Sequence, residues 1–462
     1  MELGHLRSFF KNSNQLLTQA RTHFGNSREP FALTVAGQTW YILTKAEDVT
    51  AIYKINNGSL SYDIFAIEVM RMIGVSQDGI EKAFRVEHVD KCGTQSMPAK
   101  HLVKLCKDYQ LEQLSAGNRL EKLVASSVDL IKLRMNINTI ANQSWYTSSG
   151  GPDHVTVSLY QWISDVFIEM GTRAYFGEHL HEIEPNLTRT FMKFEALSWQ
   201  AMYQYPSFLC TDMNKAKNRL QRAMTVYFEK PKWKRAGMSW FIDKIDSEID
   251  RLQIAAPDRA LFFFPVILEV SPFWILSYLL FQPDLLDIIR KETAKAFCGD
   301  EVDVACLIDT ASCPRLNSVW DETTRLTAFA ASVRFLTRDI ELGGKTLRKG
   351  NRLMMPQRQL HFSQEAFGPD AHKFDPERFI KNPALIRHPS LRPFGGGATM
   401  CPGRNLAKRT TLAFVAIALR TFDVTLDPCY QSFPAPAEGK PSIGLVDVRD
   451  GCDLQVKLRV RK

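Results

Sequence analysis

Apolar residues recur every three or four positions over most of residues 65–335. That is the period of helices that bury one face. Breaks fall at Gly150-Gly151-Pro152, Pro185, Pro206 and Pro257, where glycine freedom or a missing N–H interrupts a helix. Residues 157–175 form a long amphipathic helical candidate, and 284–297 form another helix. Ahead of this region, 31–43 (FALTVAGQTWYIL) alternates around Gly37-Gln38 as a hairpin does. Thr44-Lys45-Ala46-Glu47 has the form of a capping box, which predicts a helix to about Lys54. Beyond 335 the period changes. Segments 338–342 and 345–355, joined at Gly343-Gly344, read as short strands. Residues 361–400, rich in Pro, Gly and His, read as ordered loops, and 405–422 as a helix. There is no internal repeat or flexible linker. The expected fold class is one mostly α domain with a small β portion over 1–462.

One stretch tests that reading. Residues 260–281 (ALFFFPVILEVSPFWILSYLLF) carry a single charge, Glu269. Their length would cross a bilayer. Pro265, Pro272 and the central acid favour a buried helix in the middle of the fold.

Composition narrows the class. The 462 residues are 45% hydrophobic, 11% aromatic and 23% charged, which excludes a disordered, collagen-like or disulfide-stapled chain. Lys and Arg exceed Asp and Glu by 58 to 50, and the excess is spread along the chain. No nucleic-acid partner is expected. A mildly basic face suits an acidic protein or an anionic membrane surface. The nine cysteines are odd in number and include no CxxC pair, so free thiols in a reducing compartment are expected. The first residues read neither as a signal peptide nor as an anchor.

Chemistry concentrates in Pro393-Phe394-Gly395-Gly396-Gly397-Ala398-Thr399-Met400-Cys401-Pro402-Gly403-Arg404. A single Cys follows a Gly-rich loop and precedes a helix, whose N-terminus favours a thiolate. The glycines admit close approach of a flat, bulky group. Upstream, Glu322-Thr-Thr-Arg325 sets an acid and a base at i and i+3 on one helix face. Phe374-Asp-Pro-Glu-Arg378-Phe379 supplies a second arginine. Either alone is common, but the ordered set is specific.

In that set the chain resembles the cytochrome P450 family of haem-thiolate enzymes. The resemblance implies a single haem-thiolate domain of the P450 fold and a heme b iron with Cys401 as its axial ligand. It implies that Phe394, Gly397 and Gly403 line the cofactor and that Glu322, Arg325 and Arg378 form a structural ion network. Dioxygen, a small lipophilic substrate and electrons from NADPH through a separate NADPH–cytochrome P450 reductase follow from it. So does an intracellular place, at the endoplasmic reticulum membrane surface if a natural anchor exists and otherwise in the cytoplasm. VSLYQW (157–162), FQPDLL (281–286) and GGKTLRKGNRLMMP (343–356) look like fungal enzymes of specialised metabolism. The wider group includes bile-acid 7α-hydroxylases and prostacyclin synthase, which suggests a terpenoid, sterol or polyketide substrate. Arg404, Lys408 and Arg409 would suit reductase docking, or be a solvated helix face. The aromatic run Phe191, Phe194, Trp199, Tyr203, Tyr205 and Phe208 falls where the family places a substrate lid.

The chain also departs from the family pattern. Thr399 stands where a basic residue usually holds a haem propionate. Arg334, Arg392 and His101 are the replacements expected, with Lys104 and Lys107 close to His101 and no WxxxR. Ile267-Leu268 stand where the family carries an acid or amide and a threonine that relay protons. Glu269 and Ser271 are the nearest polar substitutes for that catalytic role. Three functions stay open: a monooxygenase, a haem-thiolate isomerase or oxidative cyclase without net oxygen insertion, and a haem-binding protein without turnover.

Overall fold

A computed structural model describes the chain except residues 1–3, 56, 87–99, 152, 203–204, 264–270, 440–441, 443 and 462. At its centre lies the helix Leu159–Phe176, started by the Ser158 side chain, which accepts from the Gln161 N–H. This segment is not amphipathic as the sequence suggested. Fourteen of its residues, from Leu159 to Phe176, are buried. The reason is position. Trp162 and Phe167 pack on Phe414 of the helix Arg404–Thr421, with ring centroids 5.4 and 5.3 Å apart. Its other faces meet Asn118–Arg134, Leu187–Met202 and Ser271–Leu280.

The apolar stretch 260–281 enters this core as helix on both sides of 264–270. Ala256–Phe262 precedes that segment and Ser271–Leu280 follows it. Phe273, Ile275, Leu276 and Leu279 are fully buried. Pro283 opens Pro283–Thr293, where its missing N–H costs nothing. Among the described residues, no helix is long and apolar enough to cross a membrane.

Two larger sheets flank the helices. The first orders its strands Phe31–Val35, Gln38–Ile42, Arg352–Pro356, Ala331–Leu336 and Leu60–Ser61. Its hairpin turns at Ala36-Gly37, one residue earlier than expected, and Val35 faces Gln38. Both turn residues have positive φ, 53° and 77°, as a two-residue hairpin of this twist requires. The capping box does not form. The helix Ala46–Lys54 has Lys45 at its N-cap with no side-chain bond. Thr44 is fully buried, and its hydroxyl donates to the Arg28 carbonyl instead (3.3 Å).

The second sheet orders Phe422–Leu426, Gln455–Val460, His154–Ser158 and Thr147–Gly150, all antiparallel. Gly150 and Gly151 thus belong to a hairpin that helical periodicity had hidden. Residues 361–400 are loops with short turns, among them Gln364–Phe367 and Arg378–Lys381.

Gly177 closes the central helix at φ 72°. A Cβ there would lie 2.2 Å from the Ala236 carbonyl oxygen. Backbone cannot yield as a side chain does, so Gly177→Ala should cost at least about 3 kcal/mol. At Gly299, φ is also positive (61°) but nothing lies within 4 Å. Gly299→Ala should therefore cost only about 1 kcal/mol. Denaturant midpoints of the two variants check the contrast.

Candidate functional site

The site is built on one buried carboxylate. Glu322 and Arg325 lie one turn apart on Pro314–Thr327, both with side chains 0% exposed. Arg325 holds Glu322 through two bonds, Nε to Oε2 (2.8 Å) and Nη2 to Oε1 (2.7 Å). Arg378 Nε adds a third (3.0 Å) and the Asp375 N–H a fourth (3.1 Å). The two guanidiniums spend their remaining donors on loop carbonyls. Arg325 Nη1 reaches His361 (2.7 Å) and Ala371 (2.6 Å), and Arg378 Nη1 reaches Phe367 (2.6 Å). The network therefore fixes a loop that has almost no regular structure of its own.

His361 carries this order toward the cysteine. Its ring Nε2 accepts the Arg392 N–H (2.9 Å), while its carbonyl serves Arg325. Burial, aided by the Arg325 charge, lowers its pKa to about 3. The imidazole is thus a neutral acceptor.

Arg392 begins the Gly-rich turn. Gly395 and Gly397 adopt φ 73° and 56°. The Cys401 N–H donates to the Phe394 carbonyl (2.9 Å), closing the loop. Phe394 stacks on Trp320 with centroids 6.3 Å apart. Cys401 lies three residues ahead of Arg404–Thr421, and Arg404 Nη1 donates to its carbonyl (2.9 Å). A Cβ on Gly403 would lie 3.7 Å from Cys401 Sγ. Burial and the nearby Cys401 sulfur both push the Tyr175 phenol up.

Two cations stand beside the loop. Arg334 lies within the strand Ala331–Leu336, and it is 8% exposed. It bonds the Thr399 hydroxyl and the Val333 carbonyl (2.7 Å for the latter). Arg392 Nη2 donates to Thr50 Oγ1 (2.7 Å), while its Nε is buried with no partner. Burial lowers the pKa of both, and no described carboxylate offsets it. Lys107 reaches the carbonyl of Ala398 from Leu102–Leu114.

Comparison with known proteins gives a consistent answer. Residues 270–446 match the cytochrome P450 family model. A Penicillium oxalicum protein named cytochrome P450 monooxygenase poxD is 24% identical over 91% of this chain and 85% of its own length. Cytochrome P450 714D1 from Oryza sativa subsp. japonica is 36% identical over 36% of this chain. The chain spans 30% of that rice protein's length and 33% of that of another rice relative, cytochrome P450 734A5. The structure of retinoic acid bound cyanobacterial CYP120A1 superposes with a TM-score of 0.70 at 17% identity, covering 99% of this chain and 97% of that one.

The chain has the cytochrome P450 fold, and residues 270–446 match that family.

That match implies a haem held by a thiolate. The residues of this chain fit such a group. A single cysteine stands just ahead of a helix start, and a buried guanidinium (Arg334) and a half-buried one (Arg392), with no described carboxylate partner, face the same loop. Arg392 keeps a buried N–H unspent, and a haem has two propionates to receive such donors.

Other expectations fare differently. His101 is the N-cap of Leu102–Leu114, and its Nδ1 accepts the Lys104 N–H (3.4 Å). Its Nε2 lies 3.5 Å from Asp63. Both ring nitrogens are therefore engaged away from the loop, and Lys107 is the cation of that helix that reaches it. Glu269, Ile267 and Leu268 lie outside the described residues, as does Tyr203. Ser271 starts the helix Ser271–Leu280, and its side chain also lies outside them. Arg404 is spent on the Cys401 carbonyl, and Arg409 lies 3.4 Å from Glu121. Burial lowers the Lys408 pKa, and the Asp321 charge partly offsets it. These three are less available for docking than an open helix face would make them. Of the aromatic run, Phe191 and Phe194 are core, and Phe208 is 79% exposed.

His361 had no signal in the sequence beyond lying in a His-rich loop. Its depressed pKa has a consequence. Between pH 6.5 and about 3 the unfolded chain binds a proton that the folded ring refuses. Its contribution to stability is therefore present above pH 6.5 and is lost as pH falls through that window. His361→Gln keeps an acceptor and removes the titration. The melting-temperature gap between the wild type and this variant should shrink or reverse from pH 7 to pH 4.

Proposed function

We propose that the whole chain, 1–462, is one haem-thiolate domain and acts as a reductase-dependent monooxygenase on a small lipophilic molecule. The observation that carries this is the joint geometry of Cys401 and the Glu322–Arg325–Arg378 network. A buried three-member ion network is costly unless it specifies something, and here it orders the loops that lead to one cysteine. Cys401 is the proposed axial ligand, with the helix Arg404–Thr421 favouring its thiolate form. Arg334 and Arg392 are proposed to hold the propionates, with Phe394, Gly397 and Gly403 against the macrocycle.

Bound haem supplies the dioxygen chemistry that side chains lack. In the overall reaction the substrate, dioxygen, two electrons and two protons give a hydroxylated product and water. The electrons are proposed to come from NADPH through a separate reductase. The name of the Penicillium oxalicum relative, a monooxygenase, supports the reaction type. A terpenoid, sterol or polyketide substrate of specialised metabolism is proposed from the fungal sequence resemblance. The place proposed is intracellular, at the endoplasmic reticulum membrane surface when a natural anchor is present. Glu269 and Ser271 remain the proposed proton donors near the substrate.

A second reading has its own support. Ile267-Leu268 cannot donate a proton, so an isomerisation or oxidative ring closure is the alternative.

The ferrous–CO complex tests the ligand. The strongly red-shifted Soret band of a thiolate is expected, and Cys401→Ala should abolish it. A histidine-type band from correctly folded wild-type protein would overturn the assignment. Deleting the gene and comparing the accumulated metabolite with the lost product separates the reactions. A product heavier by one oxygen supports monooxygenation. Equal mass, or the loss of two hydrogens, supports the alternative.

A further inference from the structure

The thiolate loop rests on a residue far away in sequence. Tyr53, near the end of Ala46–Lys54, is half-buried beneath Gly396 and Gly397. A Cβ at Gly396 would lie 2.7 and 2.8 Å from the Tyr53 ring, and one at Gly397 would lie 2.8 Å from its carbonyl oxygen. The two glycines let the loop lie directly on this tyrosine. The same ring faces both cations. Arg392 Cζ is 5.2 Å from its centroid and Arg334 Cζ is 6.0 Å, within the range of a cation–π contact. Its hydroxyl donates to Ser332 Oγ (2.8 Å), on the strand that carries Arg334. Thr50, one turn earlier, accepts from Arg392.

Both guanidiniums are partly or wholly withdrawn from water, which costs their charges hydration. No described carboxylate compensates. The electron-rich ring of Tyr53 is the contact that the two share. We propose that Tyr53 is a positioning residue for the cofactor. It holds Arg334 and Arg392 toward the propionates and so replaces the basic residue that Thr399 lacks. The inference rests on the haem-thiolate reading above.

Tyr53→Met keeps the bulk under the glycines and removes the π face, whereas Tyr53→Phe keeps the face and removes the hydroxyl. The readout is the rate at which haem passes from the purified holoprotein to excess apomyoglobin. Tyr53→Met should lose haem roughly tenfold faster than wild type and Tyr53→Phe within about threefold. The decisive comparison uses protein reconstituted with haem dimethyl ester, whose propionates carry no charge. With that haem the wild type and Tyr53→Met should release at the same rate, because the cations have nothing to hold. Arg392→Gln leaves loop and ring in place and repeats the comparison from the cation side, with the same loss of the gap expected. An unchanged rate in Tyr53→Met with natural haem overturns the proposal. So does a gap that persists with the diester, since the ring would then only support the loop. A wild-type protein without a thiolate-type ferrous–CO band would instead remove the haem-thiolate reading itself.

Discussion

A carboxylate buried with no access to water stays ionised only where opposite charges and hydrogen-bond donors replace that water. Glu322 is matched by Arg325 and Arg378, and this leaves the pair with one excess positive charge and many donors to satisfy. Carbonyls of the 361–373 loop take those donors. A segment with little regular secondary structure is thereby given one conformation. Its order comes from charge-assisted bonds, which are shorter and stronger than neutral ones.

That order reaches the cysteine through His361. One residue offers its carbonyl to the network and its ring to Arg392, where the Gly-rich turn begins. The ring can do this only while neutral, and full burial keeps it so. From the other side, Tyr53 sets a floor under Gly396 and Gly397. The loop is held between a polar network and an aromatic surface, and the helix Arg404–Thr421 fixes its far end in the core. The cysteine is thus positioned by residues remote in sequence as well as by its neighbours.

The cations beside the loop illustrate a different economy. Arg334 is buried, Arg392 is half-buried, and both lack described acidic partners, an arrangement that weakens a fold unless something anionic completes it. Lys408, by contrast, has the Asp321 charge close by, and burial pushes that carboxyl up to about 6. The two sets of basic residues look alike in the sequence but differ in whether an internal acid answers them.

The sequence by itself determined the helical majority, the first hairpin to within one residue, and the family resemblance through Glu322, Arg325, Arg378 and Cys401. These were legible because each rests on local periodicity or on residue types at short, fixed spacing. The all-round burial of Leu159–Phe176, the hairpin at 147–158 and the fate of Thr44 were decided by packing. Helical period reports a segment's own pattern and not how many neighbours surround it. His101 looked like a cofactor cation because of its place in the order of residues. Helix geometry turned it into an N-cap facing Asp63 and left Lys107 at the loop. Tyr53 had no sequence signal, and His361 had none beyond its His-rich loop. Tyr53 meets the loop across more than 300 residues, and only the tertiary structure could decide which ring would lie under Gly396.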